Sequence, residues 1–255
     1  MSFTYYLANL VRLFRGRLRP YTSAVLLAGG KGSRMDDGDE RTKQLKMLFG
    51  KPVIIHTLSA FEKCKYIDEI VIVARKEEID EIKGLVSEYG IKKVSCVVEG
   101  GSERSESAFL GLKGVSRKSE YVAIHDVARC LITPEAISDV VSAAYAYRAA
   151  SAGCRVKDTV KRVNSNGFII DTPKRDELWL AQTPQVFSIH MYRAAASSIR
   201  EEKIPVTDDN MIMEHIGQRV KMIDTGYENI KLTTKEDLEY CELVLRKRNG
   251  ERDEK

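Results

Sequence analysis

From residue 23 onward, short apolar runs alternate with amphipathic segments, and that rhythm restricts the fold more than any other feature of the chain. A strand that is apolar along its whole length has to be covered on both faces. The helical segments between such strands supply the cover while returning the chain to the same edge of the sheet. The pattern predicts an α/β fold, a Rossmann-like and mostly parallel sheet with helices on both faces. Residues 23–28, 70–74, 94–98 and 121–124 read as strands, so the sheet is at least four strands wide. Ile54, Leu58 and Phe61 share one face of a helix opening at Pro52, and Ile79, Ile82, Leu85 and Val86 share one face of another closed by Gly90. Further helices are expected over 106–115, from Thr133-Pro134 through Ala144, over 189–199 and over 208–216. A short strand at 220–223 precedes a last helix running to Arg248. Thr233, with Glu236 three residues on, has the spacing of a capping box for that helix.

The texture changes after Ala152. Residues 160–163 and 168–170 flank Asn164-Ser165-Asn166-Gly167, the signature of a β-hairpin and its turn. This ribbon has little core of its own and is expected to protrude as an arm over about 156–178. The remaining divisions are a basic amphipathic extension over 1–20, a main domain over 21–248 and a disordered tail over 249–255.

Composition narrows the function. Of the formal charge of +4 on 255 residues, all is accounted for by Arg12, Arg15, Arg17 and Arg19, since residues 1–20 hold no acid; the rest of the chain is neutral, and a nucleic-acid partner is not indicated. The five cysteines are scattered without a C-x-x-C pair, which fits reduced thiols in a cytoplasmic protein and assigns neither disulfide nor zinc. No apolar run approaches the roughly 18 residues of a membrane span, so integral membrane association is not expected.

Chemistry gathers where strands end. The first strand runs into Ala28-Gly29-Gly30-Lys31-Gly32-Ser33-Arg34-Met35, a glycine-rich turn that lets backbone N–H groups approach a phosphate, with cations inside it. A dinucleotide-binding turn would need a third glycine where Met35 stands and an acid where Arg75 follows the second strand. Residues 99–107, from Glu99 to Ser107, lead from a strand into a helix and suit the binding of a base or ribose. The fourth strand ends in His125-Asp126-Val127-Ala128-Arg129, which places the Asp126 carboxylate where Mg²⁺ on substrate phosphates needs a hard ligand. His125 reads as a structural neighbour, because a phosphate monoester nucleophile is already ionised at neutral pH.

The order Leu-x-Gly-Gly-x-Gly-x-Arg-Met followed by Lys43-Gln44 resembles the signature of nucleotidyltransferases that activate sugar and alditol phosphates. The elements Gly100-Gly101-Ser102-Glu103-Arg104, His125 to Arg129, Asp158-Thr159-Val160-Lys161-Arg162, Thr172 to Arg175, Leu178-Trp179 with Gln182-Thr183-Pro184-Gln185, Thr207-Asp208-Asp209 and Glu228-Asn229-Ile230-Lys231 are similar, in order, to those of the methylerythritol phosphate cytidylyltransferases. The resemblance spans about 23–245. It implies transfer of CMP from CTP to a polyol phosphate in a Mg²⁺-dependent homodimer whose arms are exchanged. It also implies roles. Arg34, Lys43, Arg175 and Lys231 would be catalytic, and Ala28, Gly29, Gly30, Lys31, Gly32, Gly101, Ser102, Arg104 and Ser107 would bind CTP. Thr159, Arg175, Lys231 and Arg129 would bind the polyol phosphate, and Asp126 the metal. Fixed cations at Arg34 and Lys43 suit a pentacoordinate phosphorus carrying extra negative charge.

Asp208 reads instead as a helix cap, Trp179 as a core or interface anchor, and Glu228 either as a water-mediated contact to the metal or as a surface residue. The sequence departs from the family at an acidic stretch over 36–42, at Thr42 and at Cys130, the last two standing where proline is customary. Ribitol 5-phosphate cytidylyltransferases share the glycine turn, the Lys-Gln pair and Q-T-P-Q, but the Lys161-Arg162 pair of the arm favours methylerythritol phosphate. A silent nucleotide-binding protein is disfavoured by the joint presence of Arg34, Lys43, Asp126, Arg175 and Lys231.

Overall fold

A computed structural model describes residues 19–30 and 42–250; the basic extension up to residue 18, the acidic stretch 36–41, residues 251–255 and the expected site residues Lys31, Gly32 and Arg34 lie outside the described residues. The strands are β1 (Thr22–Leu27), β2 (Met47–Leu48), β3 (Lys51–Pro52), β4 (Glu69–Ala74), β5 (Val94–Glu99), β6 (Tyr121–Asp126), β7 (Ala149–Arg155), β8 (Arg162–Val163), β9 (Ile169–Asp171), β10 (Trp179–Ser188) and β11 (Lys221–Asp224). The helices are α1 (Val53–Lys63), α2 (Ile79–Glu88), α3 (Arg104–Gly114), α4 (Pro134–Tyr147), α5 (Ile189–Glu202), α6 (Asp209–His215) and α7 (Lys235–Arg248).

Seven strands form one sheet in the order β11-β7-β10-β6-β1-β4-β5. β1 pairs in parallel with β4 and β6, and β4 with β5; only β10 runs against its neighbours β6 and β7. The alternation of side chains along each strand divides the core into two layers. Ala24 and Leu26, with Ile70 and Ile72, pack against Ile54, Leu58 and Phe61 of α1 and Val140 and Val141 of α4. Val25, Val71 and Val73 turn the other way, onto Ala108 and Leu112 of α3 and toward the layer of α5. A third cluster, with Leu131, Leu232, Cys241 and Val244, seats α7 beside the segment that follows β6, and there Cys130 is buried with its Sγ 4.0 Å from that of Cys241.

The sheet meets the expectation of at least four strands and exceeds it, because β10, β7 and β11 extend it on the β6 side. α3 begins at Arg104, and β6 continues to Asp126, so that carboxylate is the last residue of its strand. The last helix is capped one residue later than the spacing of Thr233 implied: Thr234 accepts from the Asp237 N–H, while the Asp237 carboxylate accepts from the Thr234 N–H at 2.8 Å. Thr133 and Asp208 do cap α4 and α6. Between β7 and β10, β8 and β9 form the exposed hairpin, its turn held by Asn164 Oδ1, which accepts from the N–H groups of Asn166 and Phe168, each at 3.0 Å. Trp179 lies half-buried at the arm's base with the Arg155 guanidinium 4.9 Å from its ring centre. No helix among the described residues is long and apolar enough to cross a membrane.

Candidate active site

After β1 the chain builds β4 and β5 on one side, then returns to place β6 on the other, and at this switch in strand order a crevice opens beyond the carboxyl ends of the strands. The cleft there measures about 680 Å³. Ala28, Gly29 and Gly30, the turn from Gly100 to Arg104, Ser107, Asp126, Lys43 and Lys231 all line it.

The turn after β5 is shaped by short-range bonds. The Gly101 N–H donates to Ser107 Oγ at 3.1 Å, and Glu106 Oε2 accepts from the N–H and hydroxyl of Ser102 at 2.8 and 3.0 Å. Those bonds hold the Glu106 carboxyl below its ordinary range. A Cβ on Gly101 would stand 2.3 Å from the Glu106 side chain, so glycine is what permits the close approach. The hydroxyl of Ser107, a residue expected to bind CTP, therefore fixes the backbone of the turn from its place in α3.

Lys43 enters from a strap whose ends are tied down. Thr42 Oγ1 and Gln44 Nε2 both donate to the buried Glu78 carboxylate, the latter at 3.1 Å, and the Gln44 and Lys46 carbonyls accept from the first amides of α1 at 2.9 Å. Thr42 thus makes a bond that the customary proline has no hydroxyl to make. Lys43 Nζ donates to the Leu232 carbonyl at 3.3 Å, next to Lys231 in sequence.

Asp126 is the electrostatic centre. Its Oδ1 accepts from Arg104 Nε at 2.9 Å and its Oδ2 from Lys231 Nζ at 2.7 Å, while its own N–H donates to Thr183 Oγ1 at 3.1 Å. Burial alone would push this carboxyl up, but the charges of Arg104, Lys231 and Arg129 outweigh it and hold the group well below the usual carboxylate range. Arg104 also donates through Nη1 to the buried Asp209 at 2.7 Å. Burial pulls the guanidinium down, yet Asp209 and Asp126 together raise it above its ordinary value.

The Arg129 carbonyl, 3.3 Å from His125 Nε2, can only accept, so the neutral ring carries its proton on Nε2 and its Nδ1 accepts from the Thr183 hydroxyl at 3.0 Å. Burial pushes His125 down to about 3, so it is neutral and structural, as its sequence context suggested.

Arg129 does not line the cleft. Its Nη1 and Nη2 donate to the Asn229 and Ala181 carbonyls at 2.9 and 3.4 Å, with Nε buried and unbonded. Thr159 and Arg175 stay in the exposed arm, where Arg175 donates to the Lys157 carbonyl at 3.1 Å, so one chain does not bring them to the other site residues. Glu228 pairs with Arg248 at 2.8 Å and is a surface residue.

Among the described residues no three acidic, His or Cys side chains gather as a metal cage. A single ionised carboxylate at the edge of this cleft nevertheless fits Mg²⁺, which takes much of its shell from phosphate and water. Asp209 and its partner Tyr192 were not expected here; the Thr-Asp-Asp run was the only signal, and it pointed to the cap at Asp208.

The chain compares closely with known proteins. The sequence model of the 2-C-methyl-D-erythritol 4-phosphate cytidylyltransferase family matches residues 22–247. The protein of that name from Clostridium botulinum (strain ATCC 19397 / Type A) is 40% identical over 225 residues, 88% of this chain and 97% of its own. That from Alkaliphilus oremlandii is 42% identical over 228 residues, covering 89% and 96%. The crystal structure of 4-diphosphocytidyl-2C-methyl-D-erythritol synthase from Anaerococcus prevotii superposes with a TM-score of 0.79 at 31% identity, covering 89% of this chain and 96% of that one. On fold, cleft and sequence together, the chain belongs to the 2-C-methyl-D-erythritol 4-phosphate cytidylyltransferase family.

Proposed function

We propose that this protein transfers CMP from CTP to 2-C-methyl-D-erythritol 4-phosphate, giving 4-diphosphocytidyl-2-C-methyl-D-erythritol and pyrophosphate. The observation that carries this reading is the convergence of Arg104 and Lys231 on Asp126 in a cleft that Lys43 and the Gly100–Ser102 turn also line. In the transfer, an oxygen of the acceptor's phosphate attacks the α-phosphorus of CTP, its new P–O bond forming as the bond to the pyrophosphate oxygen breaks. Negative charge accumulates at phosphorus, and Lys43 and Lys231 are fixed cations on that path. No proton has to be removed from the nucleophile, which agrees with a neutral, buried His125. The Gly29–Gly30 backbone and the turn through Gly101 and Ser102 orient the nucleotide. Asp126 is our assigned ligand for Mg²⁺, which when bound supplies charge neutralisation at the triphosphate. The arm suits a homodimer, in which Thr159 and Arg175 of one chain would contact the acceptor held by the other; guanidinium pairs well with a phosphate through two parallel bonds.

The test is a substrate panel: purified protein, CTP and Mg²⁺, with methylerythritol phosphate and ribitol 5-phosphate supplied separately and pyrophosphate measured. Faster turnover of methylerythritol phosphate is expected; the reverse order would reassign the acceptor.

A further inference from the structure

Lys43 stands second in a four-residue turn, Thr42 to Leu45, closed by the Leu45 N–H donating to the Thr42 carbonyl at 2.9 Å. The side chains on either side of it go to one acceptor. Thr42 Oγ1 donates to Glu78 Oε1 and Gln44 Nε2 to Glu78 Oε2 at 3.1 Å, and Thr42, Gln44 and Glu78 are all buried. Glu78 is held in its own right: its N–H donates to the Arg75 carbonyl at 3.0 Å, closing the short turn after β4, and it leads directly into α2. Arg75, Lys76 and Glu77 of that turn line the same cleft as Lys43, whereas Glu78 does not line it. One carboxylate, set behind the site, therefore ties the strap that carries Lys43 to the neighbouring wall of the cleft, with one oxygen for each flanking residue.

We propose that Glu78 is a positioning residue for Lys43: by holding both neighbours of the lysine it fixes the turn from which the ammonium meets the charge developing at phosphorus; this rests on the function proposed above. A lysine ammonium is a point charge on a flexible four-carbon stem, so its effect on a transition state depends on where the stem is rooted. Here the root is fixed by the Glu78 bonds, and the tip donates to the Leu232 carbonyl at 3.3 Å. Loosening the root spreads the charge over positions away from phosphorus. A displacement on the order of 1 Å costs up to about 10²-fold in rate, and the loss falls on the chemical step because a preorganised cation acts there.

The test measures pyrophosphate release by the full-length protein with CTP, methylerythritol phosphate and saturating Mg²⁺, at a temperature where circular dichroism shows each variant folded. Glu78→Ala is expected to lower kcat about tenfold while KM for CTP stays within about threefold. Glu78→Gln keeps a carbonyl for Gln44 and gains an amide that can donate to Thr42 Oγ1, so kcat should return to within about threefold of wild type. A double-mutant cycle separates positioning from general loosening. In a Lys43→Ala background, Glu78→Ala should change kcat by less than about twofold, because the cation it holds is gone. The full loss persisting in that background, or a KM effect with kcat unchanged, overturns the proposal. Should Glu78→Ala not fold, Thr42→Val removes one of the two bonds and is expected to lower kcat about threefold, with the same cycle deciding. Hydrogen exchange at the Leu45 amide reports the turn without catalysis: it should quicken about tenfold or more in Glu78→Ala, or in Thr42→Val by less, and unchanged exchange overturns the tether. Failure of the wild-type protein to release pyrophosphate from CTP with either polyol phosphate would instead sink the function itself, while the exchange measurement still judges the tether.

Discussion

Lys43 reaches the cleft from a strap that is rigid for a residue-level reason: the buried Glu78 carboxylate accepts from both of its neighbours, Thr42 and Gln44. A cation held in place before the reaction needs no reorganisation as charge develops at phosphorus, so replacing it should act on the rate more than on binding. Lys43→Ala is expected to lower kcat for pyrophosphate release by about 10²-fold or more while changing CTP affinity little; turnover that survives the change would remove Lys43 from the transition state. A second residue sets a pH dependence of stability. Burial lowers the His56 imidazole from its ordinary 6.5, the bond from its Nε2 to the Leu48 carbonyl at 2.7 Å partly opposing this and Lys51 adding to it. Below pH 6.5 the unfolded chain takes up a proton that the folded chain refuses, so this contribution to stability is complete above that pH and falls as the pH drops through it. Urea unfolding midpoints measured from pH 7.5 downward should therefore decline less steeply in His56→Gln, about in proportion to the one proton removed from the linkage.

At the scale of elements, α3 shows how the sheet governs the site. The helix carries Arg104 and Ser107 at its first turns and lies directly on β1 and β4, where a Cβ at Gly111 would stand 2.4 Å from Val25 Cγ1 and 2.7 Å from Val73 Cγ2. Two effects compete in Gly111→Ala. Alanine favours the helix by ~1 kcal/mol, but overpacking a closed interface costs ~1–3 kcal/mol. Net destabilisation in denaturant titrations is expected, together with weaker CTP binding as α3 lifts; a stabilised variant would show the contact to be loose. The legibility of elements in the sequence follows the same physics. β4, Glu-Ile-Val-Ile-Val-Ala, announces itself because a strand buried on both faces must be apolar throughout. β7 is mostly Ala, Ser and Gly, and β10 contains Pro184, residues with poor strand preference; their place between larger elements makes them strands. Pro184, which lacks an N–H, falls where the pairing of β10 with β7 shifts register between Ala181 and Gln185. The cap of α7 was misplaced by one residue because Thr233-Glu236 and Thr234-Asp237 have identical spacing, and only geometry separates them. Asp126, Lys43 and Lys231 were legible through motifs, whereas the Arg104–Asp209 contact joins residues 105 apart and leaves no local mark.

For the whole molecule the arm decides where Thr159 and Arg175 act. Within one chain they stand in an exposed ribbon, away from the cleft, and the same ribbon carries Phe168, Ile169 and Ile170 at 72%, 63% and 57% exposure. Apolar side chains displayed this way fit burial against another chain. Subunit mixing distinguishes an exchanged arm from one that folds back on its own site. Lys43→Ala and Arg175→Ala proteins are each expected to be nearly inactive on their own. If the arm crosses to the partner, a mixed dimer joins the intact Lys43 site of one chain to the intact Arg175 arm of the other, and concentrates both lesions in the second site. Random exchange makes about half the dimers mixed, each with one sound site, so activity should recover to about a quarter of the wild-type value. If Arg175 serves its own chain, every site keeps a lesion and nothing recovers. Light scattering at micromolar concentration provides the independent check, since a monomer that is fully active would leave the arm without a site to complete.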